Sequence, residues 1–357
     1  MFKRTVDQIA ESAYSKAMVT LAEMRNGQAR GLDWAEDLKN GKVTLKEMIG
    51  TESGAEEFLE RVNLEAYQEI ERPENQPLYT AIYDVVEDST LPKILTVEEM
   101  GPYGIVFLEH LEGGEVKFGT LEPGQEKVVR MRTLAAGLEY TEDMVEYNEL
   151  FRVTDQARQM GRAWVATINY VTLAPIYLGT FVTSSADLQE QREYQEGTGV
   201  VATAQLIAWD TSIQQTLRNA LTVLPNAKYI LCNSGDQFLL EDALAGSMLP
   251  DLNPSKVKRQ LKPENIIVWD GFKAKVGAKT YEYAGVTSGY CYLVSGAKLN
   301  FRYYIKHGLR ITQGDGDLSR LVASQVVGRG RGGTYAAVAG ADGAVKVAIV
   351  APAIVAP

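Results

Sequence analysis

The sequence is poor in the residues that most often carry chemistry. It holds two histidines, His110 and His307, and two cysteines, Cys232 and Cys291, in 357 residues. Neither histidine has a second ligand three or four positions away, so no metal site of that spacing is expected. A Ser-His-Asp or Cys-His catalytic arrangement has little raw material. Neither G-x-S-x-G nor G-x-x-x-x-G-K-[ST] occurs. Both cysteines lie in apolar runs, Tyr229–Cys232 and Tyr290–Val294, and read as small buried hydrophobes of a reducing compartment. No run approaches the roughly 18 apolar residues of a membrane span. The opening MFKRTVDQIAESAYSK is charged from the start and does not read as a signal peptide. Bases are outnumbered, 36 against 46 acids, for a net charge of −10. That excludes a general basic coat for nucleic acid and leaves room for a local basic patch.

What is present is an ordinary folding composition, 45% apolar and 23% charged. The length suggests two or three packed units. Residues 1–75 are helix-forming and acidic, with 15 acids and 10 bases. Ile9, Ala13, Ala17, Leu21 and Met24 give one apolar stripe, and Gly27 is placed to end that helix. The segment is too poor in bulk to form a core alone, so it is expected to dock on something as an arm or to be a short regulatory domain. Pro77, Pro92, Pro102 and Pro123 then exclude a long helix. Glu115–Leu121 and Glu126–Leu134 read as two strands joined by a turn at Glu122-Pro123-Gly124-Gln125, with Val128, Arg130 and Arg132 on one face. Such a hairpin has too few apolar residues to stand alone in water.

The spacing predicts one long helix over 141–174. Thr141 is its N-cap, Tyr147, Phe151, Trp164 and Ile168 lie along its stripe, and Pro175 closes it. At 1.5 Å per residue it would be about 50 Å long. A polar loop over 178–203 follows. Then come an amphipathic helix over 204–221, a buried strand over 227–232, a helix over 236–245, and buried strands over 266–269 and 290–295. That alternation is mixed α/β. Phe301–Ile305 and Leu309–Thr312 read as a hairpin across His307-Gly308, 318–327 as a strand or short helix, and Gly328–Gly333 as a turn.

Several stretches imitate chemical motifs. Gly328-Arg-Gly-Arg-Gly-Gly333 matches G-x-G-x-x-G, but the 24 residues after it are too few for a dinucleotide-binding crossover. Arg329 and Arg331 could instead face phosphate as one short basic spot. Gly314-Asp-Gly-Asp317 lacks the later ligands of a calcium loop and reads as a turn. Glu56-Glu57 and Glu98-Glu99 read as solvated faces. More informative is the alternating charge of Glu115, Lys117, Glu122, Glu126, Lys127, Arg130 and Arg132, a handle for a neighbour of the reverse pattern.

An acidic helical arm, a charged hairpin, a long helix, a compact α/β unit and returning strands occur in that order. The telling stretches are AKYILCNSGDQFLLEDALAG (227–246), PENIIVWDG (263–271) and HGLRITQGDGDLSRLVASQVVGRGRGGTYAAV (307–338). The whole resembles the major capsid protein of tailed bacteriophages, the Hong Kong 97 capsid fold. The resemblance implies an α+β chain. Residues 1–75 correspond to an N-terminal arm, 76–103 to the start of the peripheral domain and 104–140 to the E-loop hairpin. Residues 141–199 then hold the spine helix and following loop, 200–298 the axial α/β domain, and 299–357 the return strands and tail.

What the resemblance implies of function is a structural role with no cofactor and no catalysis. Copies would form hexamers and pentamers of an icosahedral head in the virion, assembled in the host cytoplasm around double-stranded DNA that they do not read. Portal and scaffolding proteins, and in some cases a decoration protein, would be partners. A separate scaffold is expected, because only some 75 residues precede the peripheral domain. Some members crosslink a hairpin lysine to a neighbour's asparagine. Lys117, Lys127 and Asn300 are available, but no matching acid is found, so no crosslink is expected. An encapsulin-type nanocompartment shell shares the fold and is the alternative. An α/β enzyme is a more distant one, and the shortage of histidine speaks against it.

Overall fold

The computed structural model describes residues 6–26, 51–72, 75, 77–100, 123–147, 150–178, 180–182, 191–192, 194–195, 199–200, 203–245, 261–276, 279–296, 300–317, 322–337 and 343–351. Helix α1 (Val6–Arg25) buries the expected stripe of Ile9, Ala13, Ala17 and Leu21. Its partner is α2 (Glu52–Ile70), where the Thr51 hydroxyl accepts the Gly54 N–H at 3.1 Å and caps the helix. The N-terminal segment therefore docks on its own chain. Ile9, Ala13, Phe58, Leu59 and Val62 share a core with Val153, Met160, Leu309 and Val326.

The predicted spine is divided. Thr141 is an N-cap as expected, accepting from the Met144 N–H, but of a short helix α4 (Glu142–Glu146). Tyr147, at φ −84° and ψ 3°, ends that helix, and the spine proper is α5 (Leu150–Tyr177). Its 28 residues span about 42 Å. Pro175 does not close it but lies inside it. A proline there removes the N–H that would bond the Val171 carbonyl. The Thr334 hydroxyl lies 3.5 Å from that oxygen and donates to it instead. The surrounding Leu173, Ala174, Ile176 and Tyr177 are buried, so packing holds the last turn together.

The first half of the spine lies on a sheet ordered β1 (Asp84–Glu87), β15 (Phe301–Asp317), β16 (Val322–Ala337) and β4 (Arg132–Thr141), with β6 (Gln191–Arg192) also pairing with β16. Here the predicted hairpin and turn are both replaced by strand. β15 runs unbroken through His307 and Gly308, absorbing them as register shifts between Ile305 and Arg310. The Tyr67 hydroxyl of α2 fills the irregularity by donating to the Leu309 carbonyl at 2.7 Å. Gly328–Gly333 is the middle of β16. Its alternate glycines admit the spine: a Cβ on Gly330 would lie 2.2 Å from the Trp164 ring, and one on Gly328 2.7 Å from Met160 Sδ. The glycine-rich run is thus a helix-packing surface. Gly314-Asp-Gly-Asp317, read as a turn, is likewise within β15.

The second half of the spine packs on a six-stranded sheet. Its order is β11 (Ile266–Val268), β10 (Ala227–Cys232), β14 (Tyr290–Ser295), β17 (Ala344–Ala348), β9 (Thr203–Ile207) and β5 (Thr180–Val182). One face, with Leu231, Tyr292 and Val294, meets Ile168, Leu173, Ile176 and Tyr177 of the spine and Ile82 of the single-turn α3 (Tyr79–Ile82). The other face, with Ile230, Cys232, Leu293 and Val347, is covered by Leu217 and Leu221 of α6 (Ile213–Val223) and Leu240 of α7 (Ser234–Ala245). Residues 204–207, expected at the start of a helix, belong to strand β9 instead, which pairs with β17. The expected unit 299–357 is also divided: β17 joins this second sheet, antiparallel to β14, and not the return strands. Small ribbons complete the described strands: β2 (Ile94–Met100) with β3 (Pro123–Arg130), β7 (Tyr194–Gln195) with β8 (Gly199–Val200), and β12 (Gly271–Val276) with β13 (Lys279–Ala284). The class is α+β, as expected.

Candidate subunit interface

A charged ribbon is present among the described residues, and the partner strand expected for it, 115–121, lies outside them. β3 pairs antiparallel with β2, Ile94 opposite Arg130 and Glu98 opposite Glu126. Pro123 to Gln125, expected in a turn, already belong to β3. Glu115, Lys117 and Glu122 lie outside the described residues. Glu126 and Lys127 lie on β3. The single strand expected over 126–134 breaks at Met131, whose N–H donates to the Lys93 carbonyl at 2.9 Å. Arg130 therefore ends the ribbon, exposed, whereas Arg132 begins β4 on the main sheet, half-buried opposite Gly332.

At its base the ribbon is anchored by one face and open to water on the other. Val129 is fully buried with Leu91, Met131, Tyr304 and Tyr335. Gly333 makes this possible, since a Cβ there would lie 2.9 Å from both Val129 and the Arg130 carbonyl. The Lys306 ammonium donates to the Leu91 carbonyl and pins the entry to β2. On the face opposite the anchor, Ile94 is 57% and Val128 42% exposed. Strand alternation puts Val128 and Arg130 on the face opposite Val129. A two-stranded ribbon that shows apolar and cationic side chains to water is a surface suited to covering.

Of the predicted spine residues, Ile168 is buried and Trp164 packs into both halves of the core. Phe151 lies in the first turn of α5. Tyr147 is off the spine and 73% exposed.

Sequence reasoning missed the pairs that lock α2 to the spine. Arg158 Nε donates to Glu65 at 2.9 Å and Arg162 Nε to Glu69 at 2.5 Å. Both carboxylates are buried. Burial pushes the Glu69 carboxyl up, but the bonds from Arg162 and Asn75 and the charges of Arg162 and Arg72 outweigh it and hold it below the usual range. The signal was present, since both acids and both arginines are four apart and so share a helix face. Lys346 was also overlooked. Its ammonium sits 4.0 Å from the Tyr290 ring centre and 4.9 Å from that of Phe181, and burial lowers its pKa.

Cys232 and Cys291 are free and buried, and burial, with Asp236 nearby, pushes the Cys232 thiol up to about 12. The His307 imidazole is held below its usual value by burial first and then by Arg310, Lys306, Arg331 and Arg329. Among the described residues, no group of three His, Cys, Asp or Glu side chains could hold a metal ion. No described helix is long and apolar enough to cross a membrane.

No family model and no curated protein matches the sequence. Solved structures similar to the chain include two capsids and a virus-like particle. The capsid of the cyanophage P-SCSP1u has a TM-score of 0.45 at 12% identity, over 78% of this chain and 89% of that one. A virus-like particle from Pyrococcus furiosus has 0.46 at 8%, over 80% and 97%. The capsid of a native GTA particle has 0.43 at 11%, over 77% and 90%.

Proposed function

We propose that this chain is the major subunit of an icosahedral viral head of the tailed-phage type. Copies would join into hexamers and pentamers and enclose double-stranded DNA without reading its sequence. The carrying observation is the ribbon β2–β3, fixed at its base by Val129 while Ile94 and Val128 stay in water. A neighbouring copy that covered this ribbon would bury apolar area at roughly 25 cal/mol per Å². Weak contacts of this kind suffice, because closure repeats each of them around a ring.

In this reading, α1, α2, the spine and the β1-β15-β16-β4 sheet form the peripheral domain. The six-stranded sheet with α6 and α7 forms the axial one. The charged residues of 115–132 make contacts between subunits, and portal, scaffolding and decoration proteins dock on the assembled shell. Assembly takes place in the host cytoplasm.

The test is to express the full chain and compare it with Arg130→Glu/Arg132→Glu by electron microscopy and size-exclusion chromatography. Closed particles from the wild type, and folded monomers or capsomers from the variant, support the reading. Unaltered particles from the variant would remove the ribbon from it. Particles filled with a cargo protein and lacking a genome or portal vertex would favour the encapsulin-type alternative.

A further inference from the structure

The glycine-arginine run of β16 leaves one feature unexplained by the ribbon. Because Gly328 and Gly330 face the spine, alternation turns Val327, Arg329 and Arg331 to the opposite face. All three are exposed. Arg310 lies directly across from Arg329, and His307 across from Arg331. Like charges placed opposite one another on a sheet repel. The His307 imidazole registers this concentration of charge, since Arg310, Lys306, Arg331 and Arg329 all disfavour its protonation. Among the described residues, the acids that reach these arginines are Glu11, 4.0 Å from Arg310, and Asp7, 3.5 Å from Arg329, both well exposed, so that solvent screens these pairs. In a chain of net charge −10, this is a concentrated and under-neutralised cationic strip.

The reverse pattern lies on the same sheet. β4 pairs with β16 from Gly332–Arg132 at the strip to Val322–Thr141 at the far end, a distance of about 30 Å. That end carries Glu142, Asp143 and Glu146, all exposed, and then the 73% exposed Tyr147. The tip thus offers acids and one aromatic ring. The strip offers arginines and one exposed valine. Charge and apolar character match together, and an aromatic beside charged partners is the composition of an interface anchor.

We infer that the acidic tip of one copy, Glu142, Asp143, Glu146 and Tyr147, seats on the cationic strip, Val327, Arg329, Arg331 and Arg310, of the next. This inference rests on the shell reading and adds a second contact to it, separate from the ribbon. Two different patches, one midway along β16 and one at the end of β4, make the contact head-to-tail, and a head-to-tail contact closes into rings when its rotation permits.

The experiment uses the full chain at low salt and follows assembly by light scattering and electron microscopy. Arg329→Glu/Arg331→Glu is expected to raise the concentration needed for assembly by about tenfold or more, since opposed like charges across an interface cost several kcal/mol. Glu142→Lys/Glu146→Lys should do the same. Combining all four changes in one chain should restore assembly, a result that simple misfolding would not give. The neutral Arg329→Gln/Arg331→Gln should show a smaller loss and a flatter response to salt, because screening acts on what charge remains. If Arg329→Glu/Arg331→Glu assembles like the wild type, the inference is wrong and the shell reading stands. If that variant assembles normally but alone loses retention of added plasmid DNA, the strip serves a polyanion and the inference is again wrong. If the fourfold combination is as defective as either pair, the two patches are not partners. A wild type that stays monomeric at every concentration overturns the shell reading itself.

Discussion

Gly330 lies under Trp164, so closely that a Cβ on the glycine would sit 2.2 Å from the indole ring. This one approach converts a run that imitates a nucleotide loop into the bed of the spine helix. It also decides which way Arg329 and Arg331 face. Gly330→Ala should therefore destabilise the fold by about 1–3 kcal/mol through overpacking. Gly328→Ala, which meets the flexible Met160 side chain, should cost less. Thermal melts of the two variants check the order, and equal losses would mean that the indole moves aside as easily as the thioether.

The pair Arg162–Glu69 ties stability to acid. The Glu69 carboxyl is held below its ordinary value of 4.5, so the native state favours its ionised form. That contribution is complete above the unfolded carboxylate's pKa and is lost as pH falls through the native value. Urea melts should show weakening below about pH 4.5, and the slope of that limb should shrink in Glu69→Gln. Arg162→Ala should cost about 1–3 kcal/mol at pH 7, because it strips a partner from a buried carboxylate. An acid limb of unchanged slope in Glu69→Gln would assign the pH dependence to other carboxylates.

Much of this was readable from one sequence because helical and strand periods report local burial directly. Ile9, Ala13, Ala17 and Leu21 announced one buried face, and AKYILC announced a strand covered on both sides. The errors came where tertiary contacts overrule local punctuation. Pro175 normally ends a helix, yet Thr334, distant in sequence, answers the carbonyl it frees. His307-Gly308 looks like a turn, yet Tyr67 from α2 holds it in a strand. Strand partners are not local either, and the pairing of β3 with β2 had no local signal. For the candidate interface, sequence supplied the charges of Arg130 and Arg132 but not the break at Met131 that sends them to different sheets.

The Thr334–Pro175 relationship can be measured as a coupling. Thr334→Val keeps the shape and removes the donor to the Val171 carbonyl, and should cost about 1 kcal/mol. In a Pro175→Ala background the helix supplies its own N–H, and the same change should cost less. A double-mutant cycle from chemical denaturation reads the difference. Additive losses would show that Thr334 acts through packing alone.

A proline introduced elsewhere in the spine has no such remedy. Ala163 lies near the middle of α5, and its carbonyl accepts the Thr167 hydroxyl at 2.7 Å. Ala163→Pro would remove the bond to Gln159 and press its ring against that carbonyl, at a cost of about 3 kcal/mol or more. The spine joins both sheets through Met160 on one side and Ile168 to Tyr177 on the other. The loss should therefore appear as a single lower melting transition and not as melting of one sheet alone. Calorimetry distinguishes the two. A wild-type melting temperature would contradict the helix at this position, and two separated transitions would mean that the sheets fold independently of the spine.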